Sequence, residues 1–217
     1  MSQHTDSDAV ESDVGGREIP IRQLALINRL AAVGTEGVAD RLTELQAEVT
    51  IEHEHVRSGF ATRDSVAAQF ADEDRVGVAT WLPSRPSGYV VVSFPTDSAN
   101  RAAAIMLQNA VDDVSEADVD LAESALEEMG TMIAGGFVDA WADRFDGEID
   151  VSTPTLIRQT ETGLIERVLN NRGGPSIYTA STLRIASHDV TATVFLLPET
   201  DPFLDIVDAI DTELDRQ

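Results

Sequence analysis

The sequence predicts an α+β fold built from two like halves. Each half is a helix–strand–hairpin–helix unit, and the two are related by a pseudo-two-fold axis and share one mixed or antiparallel sheet. Three observations carry this. Each half opens on a long helical pattern with an internal glycine pair. Each continues with a hairpin pattern across a turn-rich link. Each hairpin ends in a strand-to-proline step, Phe94-Pro95 and Leu197-Pro198, followed by a capped helix. A duplicated unit of this kind buries the apolar faces of its copies against one another. Residues 1–16 read as a disordered acidic arm. Residues 17–217 read as one domain of two repeats, 17–112 and 113–217.

The first helix begins at Pro20. Leu24, Ile27, Leu30, Val33, Val38, Leu42 and Leu45 recur at helical steps. Gly34 and Gly37 lower its propensity and mark close packing against another element. Residues 48–53 alternate and predict a strand, and residues 66–70 a short helix. Residues 76–82 and 89–94 predict a hairpin across Pro83-Ser84-Arg85-Pro86-Ser87-Gly88. Pro95-Thr96-Asp97-Ser98 then caps a helix reaching about residue 110.

In the second half, Ser115 with Asp118 three residues on resembles a capping box. The spacing predicts a helix over 116–144 with an apolar stripe of Leu121, Ala125, Met129, Met132, Gly136, Phe137, Ala140 and Trp141. A strand is expected over 148–152, then Pro154 and a segment at 155–159, then a helix over 163–170. Residues 176–185 and 190–197 form a second hairpin, turned by Ser187-His188-Asp189, and a last helix covers 202–214.

Composition narrows the function. There are 39 acidic and 15 basic residues, giving a formal charge of −24, and every cation is arginine. Binding to nucleic acid or anionic lipid needs a basic surface, so both are excluded as partners. The carboxylates run from Asp6 to Asp215 rather than in one block. Dispersed acid without lysine indicates adaptation to very high salt, where self-repulsion is screened within a few ångströms. Cysteine is absent, which removes disulfides and thiolate metal sites. No apolar run is long enough to span a bilayer and no secretory leader is visible, so the expected location is cytoplasmic.

The segment Ser124-Ala125-Leu126-Glu127-Glu128-Met129-Gly130-Thr131-Met132-Ile133-Ala134-Gly135-Gly136-Phe137 carries the most specific signal. It resembles the signature helix of the CheC/CheX/FliY family of chemotaxis phosphatases, roughly S-A-L-x-E-I-G-N-I-x-x-G before a short strand and a proline. Fainter likeness to the family's other copy runs through residues 24–42 and Val49-Thr50-Ile51. The resemblance implies a CheC-like fold and removal of the phosphoryl group from the aspartate of a phosphorylated CheY-type response regulator. It implies that the motif's Glu grips the regulator's lysine and that its Asn, one turn on, orients a water for in-line attack. The divalent metal and the phosphorylated aspartate would belong to the regulator, so no cofactor of this chain's own is expected. Several members of the family engage the deamidase CheD, a second possible partner.

Two departures stand out. Laying the helices over each other by their glycines puts Arg29 and Ala32 where the first copy should carry Glu and Asn, so that copy is expected to be inactive. In the second copy Glu128 is kept and Thr131 replaces Asn. A hydroxyl still donates to and accepts from water, and a Glu-x-x-Thr pair resembles what many sensor histidine kinases use as phosphatases. The expected catalytic residues are therefore Glu128 and Thr131. The competing expectation is a non-catalytic adaptor that sequesters the regulator or binds CheD. On the residues alone, an exposed Glu and Thr on an acidic helix need no function at all.

Other candidates are weaker. His53 and His55 would share a strand face, but no third metal ligand is apparent. His188 reads as a turn residue, Trp81 and Trp141 as core, and Met129 and Met132 as packing. None of the glycine pairs fits a phosphate loop, and no nucleophile elbow is present.

Overall fold

The computed structural model describes residues 13–14, 17–45, 50–108, 118–145, 147–170 and 175–214. A two-residue ladder of β1 (Asp13–Val14) and β2 (Arg17–Glu18) leads into α1 (Ile21–Leu45). Then come β3 (Ile51–Ala61), α2 (Val66–Gln69), β4 (Asp74–Leu82), β5 (Gly88–Pro95) and α3 (Thr96–Gln108). The second half repeats the order with α4 (Val119–Arg144), β6 (Thr155–Thr160), α5 (Glu161–Leu169), β7 (Ser176–Ile185), β8 (Val190–Pro198) and α6 (Thr200–Leu214).

The main sheet is antiparallel throughout, in the order β3-β7-β8-β5-β4-β6. Exchanging every strand for its counterpart in the other half returns the same order reversed, as a two-fold arrangement requires. The axis runs between β5 and β8, paired from Gly88↔Pro198 to Ser93↔Thr193. Each half sends its outer strand to the other half's hairpin: β3 pairs with β7 and β6 with β4. Neither half could complete its sheet alone. This is the α+β fold that the sequence predicts.

Strand alternation divides the core between the two faces of the sheet. Val90, Val92, Phe94, Val194 and Leu196 pack with residues of the long helices α1 and α4 and of α3 and α6. Val91, Phe195 and Leu197 pack on the other face with Val66, Phe70, Leu164, Ile165 and Val168 of the α2–α5 side. Coverage of both faces explains why burial runs unbroken through the middles of β4 and β5, Thr80 and Ser93 included.

Several sequence expectations need correction. Residues 148–152 form no strand. The backbone N–H of Asp150 donates to Ser84 Oγ and that of Ser152 to the carbonyl of Trp81, while Trp81 N–H turns to Ser152 Oγ. Side chains thus take up ladder positions, and Pro154 has no N–H to offer. The sixth sheet strand is the segment just beyond, β6. The strand expected at 48–53 begins at Ile51 and continues to Ala61, beyond the alternation that suggested it. Helix α4 starts later than expected, capped by Asp118, whose carboxylate accepts from Leu121 N–H at 2.9 Å. Ser115 lies outside the described residues, as do residues 1–12 of the expected arm. Thr160 caps α5 through Gly163 N–H, starting that helix at Glu161. Trp81 is only half-buried, ring against Tyr89, whereas Trp141 is fully buried.

Candidate functional site

Helix α4 is gripped on its inner faces. Leu126, Met129, Ile133, Phe137 and Trp141 are buried in the core. A Cβ on Gly130 would stand 2.5 Å from Val78, so the helix presses directly on β4. Helices α1 and α4 cross antiparallel at a pair of glycines. A Cβ on Gly37 would lie 2.4 Å from the carbonyl oxygen of Gly136, and one on Gly136 would lie 2.9 Å from that of Gly37. Phe137 fills the space above Gly34, and the indole N–H of Trp141 donates to the Leu30 carbonyl at 2.8 Å. These contacts fix both the rotation and the height of α4.

Its outward stripe follows at helical steps: Leu121, Ser124, Glu128, Thr131 and Gly135. The expectation that Leu121 joins the apolar face is overturned, because it is 40% exposed on this stripe. Leu126 and Ile133 take buried positions that the predicted face omitted. The stripe was legible in the same three- and four-residue spacing, read from the polar side.

Glu128 and Thr131 are both exposed, one turn apart. Neighbouring acids are engaged: Glu123 pairs with Arg158 of β6 at 2.6 Å and Asp139 with Arg41 of α1 at 3.7 Å. Among the described residues the Glu128 carboxylate has no hydrogen-bond or ion-pair partner. Thr131 Oγ1 donates to the carbonyl of Glu127 at 2.7 Å. That bond uses the hydroxyl's only proton and leaves its lone pairs to accept from a water. A water held by an acceptor points its own oxygen lone pairs away, the orientation a nucleophile needs. The arrangement can therefore place one solvated negative charge and one water acceptor about 5–6 Å apart on a rigid face.

The glycine crossing also registers the halves. With Gly37 opposite Gly136, Arg29 occupies on α1 the place of Glu128 on α4, and Ala32 that of Thr131. Arg29 is exposed and Ala32 half-buried. The corresponding face of α1 has the opposite charge and no water-holding side chain.

The remaining candidates do not converge on this stripe. The register of β3 with β7 shifts between His53 and His55, whose side chains lie outside the described residues. No group of three or more metal-ligating side chains occurs among the described residues. His188 stands in the turn between β7 and β8 and contacts Ser187 Oγ at 2.8 Å. A cleft of about 470 Å³ opens at the far end of α4, lined by Arg85, Arg144, Phe145, Ile149, Ile206 and Ile210 among others, and contains neither Glu128 nor Thr131. No helix of the described residues is long and apolar enough to cross a membrane.

Comparison with known proteins gives a consistent picture. The CheC-like family matches residues 121–158, which span most of α4 and continue into β6. A Halobacterium salinarum protein named "Putative CheY-P phosphatase CheC1" is 26% identical over 193 residues, covering 88% of this chain and 98% of that protein. The crystal structure of Thermotoga maritima FliY superposes with a TM-score of 0.63 at 12% identity, covering 90% of this chain and 98% of the other. A CheX from Desulfovibrio desulfuricans gives 0.53 at 15% identity, covering 79% and 99%. The FliM middle domain from H. pylori gives 0.55 at 10% identity, covering 87% and 98%. At these identities the structures speak for the fold alone. Together these findings bear out the resemblance to the CheC/CheX/FliY family.

Proposed function

We propose that this chain is a CheC-like chemotaxis protein that docks on a phosphorylated CheY-type response regulator through the outer stripe of α4 and hydrolyses its aspartyl phosphate. One observation carries the reading: Glu128 and Thr131 stand one turn apart on a solvent-facing stripe whose opposite side is locked against β4 and α1 by Gly130 and Gly136. The name of the Halobacterium salinarum relative supports it.

In this reading Glu128 pairs with a lysine beside the regulator's phosphorylated aspartate. Thr131 accepts a hydrogen from a water in line with the phosphorus. The water oxygen bonds to phosphorus, the bond to the aspartyl oxygen breaks, and the aspartate leaves with the electron pair. The water's proton passes to the released phosphate. Positioning and charge are most of what such a transfer asks of a protein. The divalent metal is the regulator's own. The protein works in the cytoplasm at high salt, as two repeats, 17–112 and 113–217, of which only the second is active.

A non-catalytic adaptor has one set of observations in its favour: Arg29 and Ala32 on α1, and threonine in place of asparagine on α4. Such an adaptor would hold the regulator, or CheD, without turnover. The decisive experiment charges a CheY-type regulator from the same cell with acetyl phosphate in molar salt and follows phosphate release. Acceleration that Glu128→Ala and Thr131→Ala both remove supports the enzyme. Release at the regulator's own rate, with or without this chain, sinks it. Binding without acceleration leaves sequestration, and capture of CheD alone points to the other partner.

A further inference from the structure

The long helices hold five glycines, and four have an internal reason to be there. A Cβ would come within 3.0 Å of another group at Gly34, Gly37, Gly130 and Gly136. At Gly135 a Cβ would meet nothing within 4 Å. Glycine in a helix interior is less stable than alanine because it loses more backbone freedom on folding. Among the described residues no contact offsets that loss at Gly135.

Gly135 is half-buried and lies one turn beyond Thr131 on the outward stripe. At the stripe's other end Leu121 is an exposed apolar side chain, 40% accessible. From Leu121 to Gly135 the stripe is about 21 Å long, the span of one face of a small domain. We propose that Gly135 is the clearance point for the docked partner: the regulator's chain next to its phosphorylated aspartate crosses α4 in contact with the Gly135 Cα. Leu121 anchors the opposite end of the same footprint. The inference rests on the proposed docking reading. A methyl group at Gly135 would lift the regulator off the helix and carry the phosphorus away from the water held by Thr131. A displacement near 1 Å is enough to cost about 10²-fold in such a reaction.

The test is Gly135→Ala in the full chain in molar salt, read by melting temperature, by affinity for a beryllofluoride-charged CheY-type regulator, and by phosphate release. The melting temperature should rise by about 2–4 °C. Affinity should fall about tenfold, and phosphate release should fall by at least as much. This opposition of sign is the diagnostic, because replacing a structural glycine lowers the melting temperature and any loss of affinity then runs in the same direction. Gly136→Ala, in the crossing, should lower the melting temperature. Leu121→Ser should leave it unchanged and weaken affinity about tenfold. If Gly135→Ala lowers the melting temperature, the glycine serves the fold and the inference falls. If the wild type binds and Gly135→Ala binds and turns over equally well, the inference falls alone. If the wild type does not bind the charged regulator, the docking reading fails and takes the inference with it.

Discussion

Helices α1 and α4 share a packing problem and differ in what they show to solvent. Both are long, both lie over the same sheet, and they meet at facing glycines. At that crossing each gives the other a glycine that could not carry a Cβ without a clash. On the outward side they are opposites: Arg29 and Ala32 against Glu128 and Thr131. Packing therefore constrains one side of a helix while the other side drifts or specialises. The difference teaches that fold and site are encoded in different residues of the same element, so one can be lost without the other.

The comparison is broken most severely at the crossing. Gly37→Ala puts a methyl group against the Gly136 carbonyl and the Ala140 Cβ, both fixed by helix geometry. It should cost about 3 kcal/mol, measured by denaturant unfolding in molar salt. Both helices should suffer together, since the crossing belongs to both. Thr131→Val keeps shape and removes the acceptor for water. The acceleration of phosphate release should fall about 10²-fold with little change in unfolding. Thr131→Asn should hold or raise the rate, because an amide oxygen also accepts. Glu128→Ala should weaken regulator affinity by about 2 kcal/mol, roughly thirtyfold, measured by titration calorimetry.

A grafting experiment sharpens the comparison. Arg29→Glu together with Ala32→Thr rebuilds the α4 face on α1. If the outward side chains alone distinguish the helices, the rate per chain should rise about twofold, as for two independent sites. Arg29→Ala by itself should change stability by less than about 0.5 kcal/mol and leave turnover as it was. A large loss on that change would mean that α1 has a role of its own.

Much of the fold could be read from pattern, because pattern is where packing writes itself. The two hairpins follow from β-branched runs around turn residues, and Gly34 and Gly37 of α1 mark a close approach to another element. The failures are equally physical. The stretch 148–154 alternates like a strand, yet Ser84 and Ser152 supply bonds from side chains and Pro154 supplies none, so the ladder begins only after it. Hydrophobicity alone assigns Leu121 to the core, yet it stands 40% exposed in the first turn of α4. Glu128 and Thr131 stand out only through likeness to a family motif, since an acidic helix often shows an exposed acid and hydroxyl one turn apart.

By itself the sequence determined the class of the fold, the order of its elements and the charge of its surface. These depend on local propensity, on periodicity and on composition, all of which are properties of the chain read in line. Only the tertiary structure decided that each half gives its outer strand to the other's hairpin. Only it set Gly37 against Gly136 at the crossing of the two long helices. It also separated Gly135 from the other helix glycines. Those facts rest on which distant residues meet across the two-fold axis, and contacts between distant residues leave no mark in the local pattern of either.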